Sequence, residues 1–576
     1  MRAAVPSIIA LSLLLAALLP AAGGLMAQSA AYSRPTVNFV LLDHGDTYDA
    51  PVGAAFAKIP AEDKFYRNDL GLARLALPQL SRRGASPTTW QAVQAELARQ
   101  GVAKRELAAW YSRTPDGRLS MALIHRRGEL NATDEAFLMA SATKRGAEAL
   151  RDLGRQLIHQ TYVVALDYGS VDYSASAESG VHSWRAEVCA TVFKLRYDGD
   201  LEGRLYEAWV DEEDAPELVA EKRRRFDQLP FALDFALQAT VSVSRSALMP
   251  GRRPQKSGGA LGDLVSLTMG VSSKEALLEE LVRKGYGDAL SSLEGKLPAF
   301  KVLAGVWELS PIRAKVGKKE GLKTDQRYNV LEYEQDSEGK VRAVRKAVVR
   351  VGSGVADNRT AATGQSAASR FYQVAGGRVD KGMTLEQRND AGMGLLLGGG
   401  LSLPAEASRA LTGTLRVELL TNKALSLGVW PGLYVYVEGE LEVASYAKGS
   451  LVAKETDDGS LASYSFSRVG VGLGKGFYFW RNFSLSPYVG VGWEYAEVAD
   501  IPLRTVYVRA GLNLAINLYY PLQLVGGAAA TAYAAPAYNG KEDGECSSLL
   551  LRRYDEAFKG RSGSGLSAFA GIRVNF

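Results

Sequence analysis

Between residues 469 and 518 the chain alternates by parity, and this constrains its fold more than any other feature. Val469, Val471, Leu473, Phe477 and Phe479 alternate with Gly470, Gly472, Gly474 and Gly476. After Trp480, Arg481 and Asn482 the pattern restarts, with Phe483, Leu485, Val489, Val491, Trp493 and Tyr495 set against Ser484, Ser486, Gly490, Gly492 and Glu494. A third run sets Val506, Val508, Leu512, Leu514, Ile516 and Leu518 against Thr505, Arg509, Asn513 and Asn517. Globular strands average about 5–6 residues, whereas these runs have the length and the apolar/polar alternation of tilted strands that cross a bilayer. One side must meet lipid and the other a polar lumen.

Extended outward, the pattern predicts eight spanning strands at about 391–401, 410–420, 425–445, 463–479, 483–496, 504–518, 522–534 and 564–576. The third is over-long and contains Pro431, so ten strands is the alternative. Connections after the second, fourth and sixth strands read as short (421–424, 480–482, 519–521), and those after the odd strands as longer, the last spanning 535–563. Short periplasmic turns and long outer loops are usual for such barrels, which places both barrel ends and everything from residue 28 to 390 in the periplasm. Aromatic residues fall near both rims, Phe477, Phe479 and Phe483 at one and Trp493 and Tyr495 at the other. Lys475, on the lipid parity, stands close enough to a rim to snorkel.

Lumen parity also collects Arg416, Arg468, Arg509 and Arg573 beside Glu418, Glu438, Glu440, Glu442 and Glu494. An eight-stranded barrel is just wide enough for side chains to fill, so these groups are expected to plug the bore by pairing rather than line an open pore.

At 576 residues the chain is too long for one core. Residues 1–27 read as a signal peptide, with Arg2, an apolar core over 8–19 and a small-residue cleavage site at Leu25, Met26 and Ala27. No other run reaches the roughly 18 apolar residues of a spanning helix, which leaves the barrel as the membrane anchor. A net charge of +5 calls for no nucleic-acid partner. Cys189 and Cys546 are too few for a disulfide framework.

Residues 28–250 read as a periplasmic α/β domain, since helical and strand patterns alternate. Strands are expected at 36–42, 119–125, 162–168, 184–197, 203–210 and 240–245, and helices at 88–113, near 131–157 and at 212–227. Residues 251–299 read as a linker and helical segment, its first helix capped by Ser272 or Ser273 and stopping at Gly285. A small β-rich module is expected over 300–388 and the barrel over 390–576.

The final strand sets Leu566, Ala568, Ala570, Ile572, Val574 and Phe576 against Ser567, Gly571, Arg573 and Asn575. It resembles the closing strand of Gram-negative outer-membrane proteins, and the resemblance implies that Phe576 ends a signal read by the barrel-assembly machinery. With the segments 162–167 and 370–374, the architecture is similar to outer-membrane β-barrel proteins of Bacteroidota type that carry a large N-terminal periplasmic region. That resemblance implies no activity. Against the small barrel with a C-terminal wall-binding domain, the domain order here is reversed.

Neither the four histidines nor the cysteines have metal-ligand spacing, and no nucleophile elbow, phosphate loop or dinucleotide fingerprint is present. Asp43, His44, Gly45 and Asp46 follow an apolar strand, where α/β sites form, though an Asx turn accounts for them equally. No catalytic, cofactor or metal residues are assigned. The sequence therefore reads as a non-enzymatic outer-membrane anchor, held in lipid, whose periplasmic region binds an envelope protein or cell-wall partner. A transporter or channel is the alternative, and a barrel-tethered hydrolase built on Asp43, His44 and Asp46 comes third.

Overall fold

The computed structural model describes residues 33–77, 89–132, 146–211, 213–251, 270–335, 337, 340–361, 366–403, 407–424, 428, 430–446, 462–498, 501–533, 537–538 and 565–576. The signal segment, most of 250–262, Cys546 and most of 535–563 lie outside them.

The first sheet has the order β2-β1-β3-β4-β5, formed by β1 (Thr36–Asp43), β2 (Arg74–Ala76), β3 (Thr161–Ala175), β4 (Val181–Leu195) and β5 (Leu233–Leu248). Strand β1 is apolar on both faces because it runs parallel to β2 and β3 with helices on either side. Helices α1 (Asp49–Ala57), α2 (Trp90–Arg99), α3 (Val102–Trp110), α4 (Ala122–Asn131), α5 (Gly146–Ile158), α6 (Gly199–Glu207), α7 (Pro216–Asp227) and α8 (Lys274–Lys296) accompany this sheet. Phe39, Leu41, Val164, Val188 and Leu281 of α8 form the core on one face, and Val93, Leu97, Trp110, Val163 and Phe193 that on the other.

Three local expectations fail here. Residues 119–125 do not form a strand, because Ile124, Arg127 and Gly128 are buried at helical spacing and Gly128 abuts the Leu150 carbonyl of α5. Residues 203–210 are not a strand either. Asp198 caps α6 by accepting from the Leu201 N–H at 2.9 Å, and Leu201 and Leu205 are buried one turn apart. Helix α8 runs through Gly285 rather than stopping there, and it packs on the first sheet. A Cβ at Gly285 would stand 2.8 Å from Val188 and 3.0 Å from Tyr168, so the glycine permits close helix–sheet approach. Tyr168 then donates to the Val282 carbonyl at 2.7 Å.

A second, antiparallel sheet has the order β6-β12-β9-β10-β11-β8-β7. Its strands are β6 (Leu303–Gly305), β7 (Glu308–Leu309), β8 (Ile312–Ala314), β9 (Arg327–Gln335), β10 (Val341–Val351), β11 (Ser369–Gly376) and β12 (Thr384–Arg388). Tyr328, Val330, Val349, Val351 and Phe371 lie in its core.

The third sheet closes on itself. Its strands are β13 (Met393–Leu403), β14 (Ala407–Leu420), β15 (Leu433–Tyr446), β16 (Ala462–Lys475), β17 (Phe477–Phe479), β18 (Phe483–Val498), β19 (Ile501–Tyr519), β20 (Leu522–Tyr533), β21 (Ala537–Tyr538) and β22 (Gly565–Asn575). Each strand pairs antiparallel with its neighbours, and β13 also pairs with β22, from Gly394↔Asn575 to Leu403↔Leu566. Leaving out the three-residue β17 and two-residue β21, eight strands make a closed barrel.

Three connections differ from expectation. The third strand starts at Leu433, so residues 421–432, including the short helix Thr421–Ala424, make a longer connection than 421–424. At the other end only 404–406 separate β13 from β14 and only 499–500 separate β18 from β19, because the ladders continue into what were expected as loops. The contrast between short and long ends is therefore weaker than the parity pattern alone suggested.

Candidate functional site

Around the barrel, one parity faces out and is apolar. Leu397 and Leu441 are each 65% exposed, and Leu411, Leu518 and Leu566 more than half exposed. An exposed apolar band this continuous marks a membrane surface, and a closed ladder is the strand solution that leaves no backbone group unpaired in lipid. Among the described residues no helix is long and apolar enough to cross a membrane. The architecture is that of a transmembrane, outer-membrane-type β-barrel.

The other parity fills the bore. Arg416, Glu418, Glu438, Glu440, Glu442, Arg468, Glu494, Arg509 and Arg573 are all buried inside it. Most join in one chain of contacts. Arg416 donates to Glu438 at 2.7 and 3.1 Å, and Arg509 reaches Glu438 at 3.1 Å and Glu440 at 2.8 Å. Arg468 pairs with Glu440, with Glu442 at 2.7 Å and with Glu494 at 2.8 Å. Arg573 and Glu418 stand apart as a pair at 3.0 Å, with Gln523 accepting from Arg573 at 3.2 Å. Burying so many charges is tolerable because each guanidinium meets carboxylates or hydroxyls across the strands.

Sequence reasoning missed the aromatic half of this filling. Tyr434, Tyr436, Tyr488 and Tyr507 point inward, each opposite an inward glycine in the ladder: Gly474, Gly472, Gly511 and Gly492. A Cβ at Gly474 would lie 2.2 Å from the Tyr434 Cζ, and one at Gly511 2.4 Å from the Tyr488 Cζ. Arg416 lies over the Tyr436 and Tyr488 rings at 4.3 and 4.1 Å, so charge and aromatic filling form one packed layer. The signal was present as large residues on one strand facing glycines on the next, the small/large alternation of small barrels.

One mouth of the barrel is covered by the second sheet. Asp325, held at φ +64°, accepts from Gly432 N–H at 2.9 Å, Asn422 Nδ2 at 2.8 Å and Tyr372 Oη at 2.6 Å. Arg350 donates to the Asp325 carbonyl at 2.7 Å, to Asp390 and to Tyr520 Oη at 3.3 Å. Burial pushes the Asp390 carboxyl up, but Arg350 and Lys423 beside it more than reverse this and hold it below its ordinary value. Nearby, Asn517 donates to the Val374 carbonyl at 2.8 Å, and Gly376 N–H donates to Asn482 at 2.7 Å. Between sheet and bore remains a cavity of about 50 Å³ lined by Arg350, Glu418, Tyr434, Asn517 and Arg573, room for water but not for a solute. Lys475 turns to the Pro431 carbonyl on this rim.

The Asp43–Asp46 segment is a turn ahead of α1. The Asp49 carboxylate accepts from the N–H groups of His44 at 2.9 Å, Gly45 at 2.6 Å and Asp46 at 3.1 Å. Buried His44 pairs with Asp167 at 2.8 Å, Asp43 with Arg74 at 2.7 Å, and Asp46 accepts from the Tyr48 N–H, so the three side chains diverge. Cys189 lies opposite Asp167 in the ladder, and burial pushes its thiol up. Among the described residues no group of His, Cys, Asp and Glu could hold a metal ion.

No family model matches this sequence, and no curated protein matches it. Among solved structures, similarity is found to the Neisserial surface protein A, at 10% identity over 33% of this chain and 100% of that one, with a TM-score of 0.22. A major outer membrane protein from Thermus thermophilus matches at 12% identity over 32% and 99% of the two chains, with a TM-score of 0.20. The outer membrane protease OmpT from Escherichia coli matches at 10% identity over 48% and 95%, with a TM-score of 0.14. TM-scores this low transfer nothing from those proteins to this one.

Proposed function

We propose that this protein is a non-conducting outer-membrane anchor that holds its two N-terminal sheets in the periplasm, where they bind another component of the envelope, a protein or the cell wall. The observation that carries the reading is the filled bore. Paired charges and inward tyrosines occupy the lumen, and the second sheet covers one mouth, so transport through the barrel has no path. Chain geometry supports the periplasmic side as the covered one. Both barrel termini, at Gly392 and Asn575, lie at that mouth, hydrogen-bonded to Leu420 and Pro521, and even-stranded barrels keep both termini inside.

Purified protein in planar bilayers is expected to give no stepwise conductance, and regular single-channel steps would sink the sealed-bore reading. Cross-linking in intact envelopes is expected to capture a stable partner through residues 33–251 or 270–390. Recovery of none would remove the binding role.

A further inference from the structure

Strands β9 and β10 outrun their neighbours. Strand β11 pairs with β10 only over Ala347–Val351, and β12 pairs with β9 only over Arg327–Leu331. Beyond those points Glu332–Gln335 and Val341–Arg345 continue as a two-stranded ribbon with no further strand partner among the described residues.

Contacts along β10 show where the ribbon goes. Arg350 meets Asp390 and Tyr520 at the mouth, and Val348 packs with Tyr520 and Val374. The Lys346 carbonyl accepts from Gly377, next to the Gly376 held by Asn482 on the rim turn 480–482. The strand thus crosses the mouth and passes the wall at Asn482. At about 3.3 Å per residue its first five residues, Val341–Arg345, reach roughly 17 Å past that wall. Trp480, 79% exposed, stands on the same rim turn with Phe479 and Phe483 packed against it, as in the aromatic belt of a membrane interface.

The ribbon is also two-faced. On β9, Arg327 points to the barrel and donates to Tyr520 at 3.1 Å, while Tyr328 and Val330 point away into the sheet's core. Alternation then puts Leu331 and Tyr333 on the barrel-side face. Across the ladder stand Arg345 opposite Leu331, Ala343 opposite Tyr333 and Val341 opposite Gln335. The far face carries Glu332, Glu334, Arg342 and Lys346 around the single apolar Val344, with Lys346 bridging Glu332 at 2.8 Å and Glu334 at 2.5 Å. Exposed Tyr333 and Val341 therefore share the face that continues the plane of the barrel mouth.

We infer that this ribbon lies against the phospholipid headgroups of the leaflet surrounding the covered mouth. Tyr333, Leu331 and Val341 sit at the interface and Arg345 pairs with headgroup phosphate. Lipid is the occupant because the face is continuous with the barrel rim, and past that rim at that depth the bilayer surface is what the chain meets. A tyrosine–aliphatic face with one arginine suits an interface, and the paired charges suit the water beneath. The inference rests on the barrel spanning a bilayer.

The test uses the full chain carrying Cys189→Ser and Cys546→Ser, reconstituted in vesicles of phosphatidylethanolamine and phosphatidylglycerol. Single spin labels are placed at Tyr333→Cys, Glu332→Cys and, on the outer barrel wall, Leu512→Cys. A label at Val341→Cys reads the ribbon face independently should the Tyr333 variant fold poorly. Collision with oxygen, enriched in lipid, is compared with collision with a water-soluble nickel chelate. The expected result is an oxygen preference at 512, a several-fold higher oxygen-to-nickel ratio at 333 or 341 than at 332, and a nickel preference at 332. A lipid signature at 512 with a water signature at 333 and 341 overturns the ribbon inference alone. Protection of 333 and 341 from both reagents assigns the face to a protein and also overturns it. A water signature at 512 defeats the transmembrane reading itself.

Discussion

The Tyr434 ring stands across the ladder from Gly474, in the space a Cβ on that glycine would need. Steric exchange between the two should be visible in stability. Gly474→Ala is expected to cost about 1–3 kcal/mol as an overpacking change. Tyr434→Ala in the same chain should relieve that clash, so the two losses fail to add. The temperature at which the folded barrel converts to the slower-migrating heat-denatured band on a gel reads both values.

Arg468 binds three carboxylates inside the wall. Arg468→Ala takes from Glu442 and Glu494 the cation they share and leaves Glu440 with Arg509 alone, and breaking a buried ion pair from one side costs about 3–5 kcal/mol. The same gel assay should show a large drop in the conversion temperature, whereas Arg378→Ala, whose ion pair with Asp380 is exposed, should show almost none.

Asp325 is where the second sheet grips the barrel. Its carboxylate takes three donors from two parts of the fold, so Asp325→Ala should remove hydrogen bonds worth about 1–3 kcal/mol to a charged acceptor. The expected outcome is faster limited proteolysis between residues 376 and 393 in the folded protein, with the barrel band itself unchanged. Asp325→Asn keeps a residue tolerant of positive φ and should fall between wild type and alanine.

Glu106 gives the first sheet's region a pH dependence. Burial raises its carboxyl to about 7 from an ordinary 4.5, against the opposing pull of Asn38, Asn68 and Arg127. Because the folded form holds the proton more tightly, the contribution is full below about 4.5 and is lost as pH rises through about 7. The loss is on the order of 3 kcal/mol. Urea unfolding followed by tryptophan fluorescence should show stability falling between pH 5 and 8, and Glu106→Gln should flatten that slope.

Strand positions in the barrel were legible in advance because a one-residue slip would turn every apolar side chain from lipid to lumen, so the alternation at 469–518 admits one register. Charged lumen residues were legible for the same reason. Their partners were not, since Arg509 meets Glu440 from a strand that is not its ladder neighbour, and parity carries no information on such contacts. The tyrosine filling was hidden because aromatic residues on lumen parity look like girdle residues until the facing glycines are set beside them. In the first sheet's region, Gly285 reads as a helix stop, yet it marks a close contact with Val188 and Tyr168, whose positions lie far along the chain. The grip of Asp325 on Gly432 spans 107 positions and leaves no periodic trace.

The seam of the barrel joins β13, which follows directly on the second sheet, to β22, which carries the last ladder residues. Every other strand is held by its immediate neighbour in order, so the wall stays an open ribbon until β22 arrives. A chain cut short before Gly565 would not make a narrower cylinder. It would leave β13 and β20 as two raw borders in oil, so the loss of the eleven-residue β22 and the residue after it forfeits the whole enclosure.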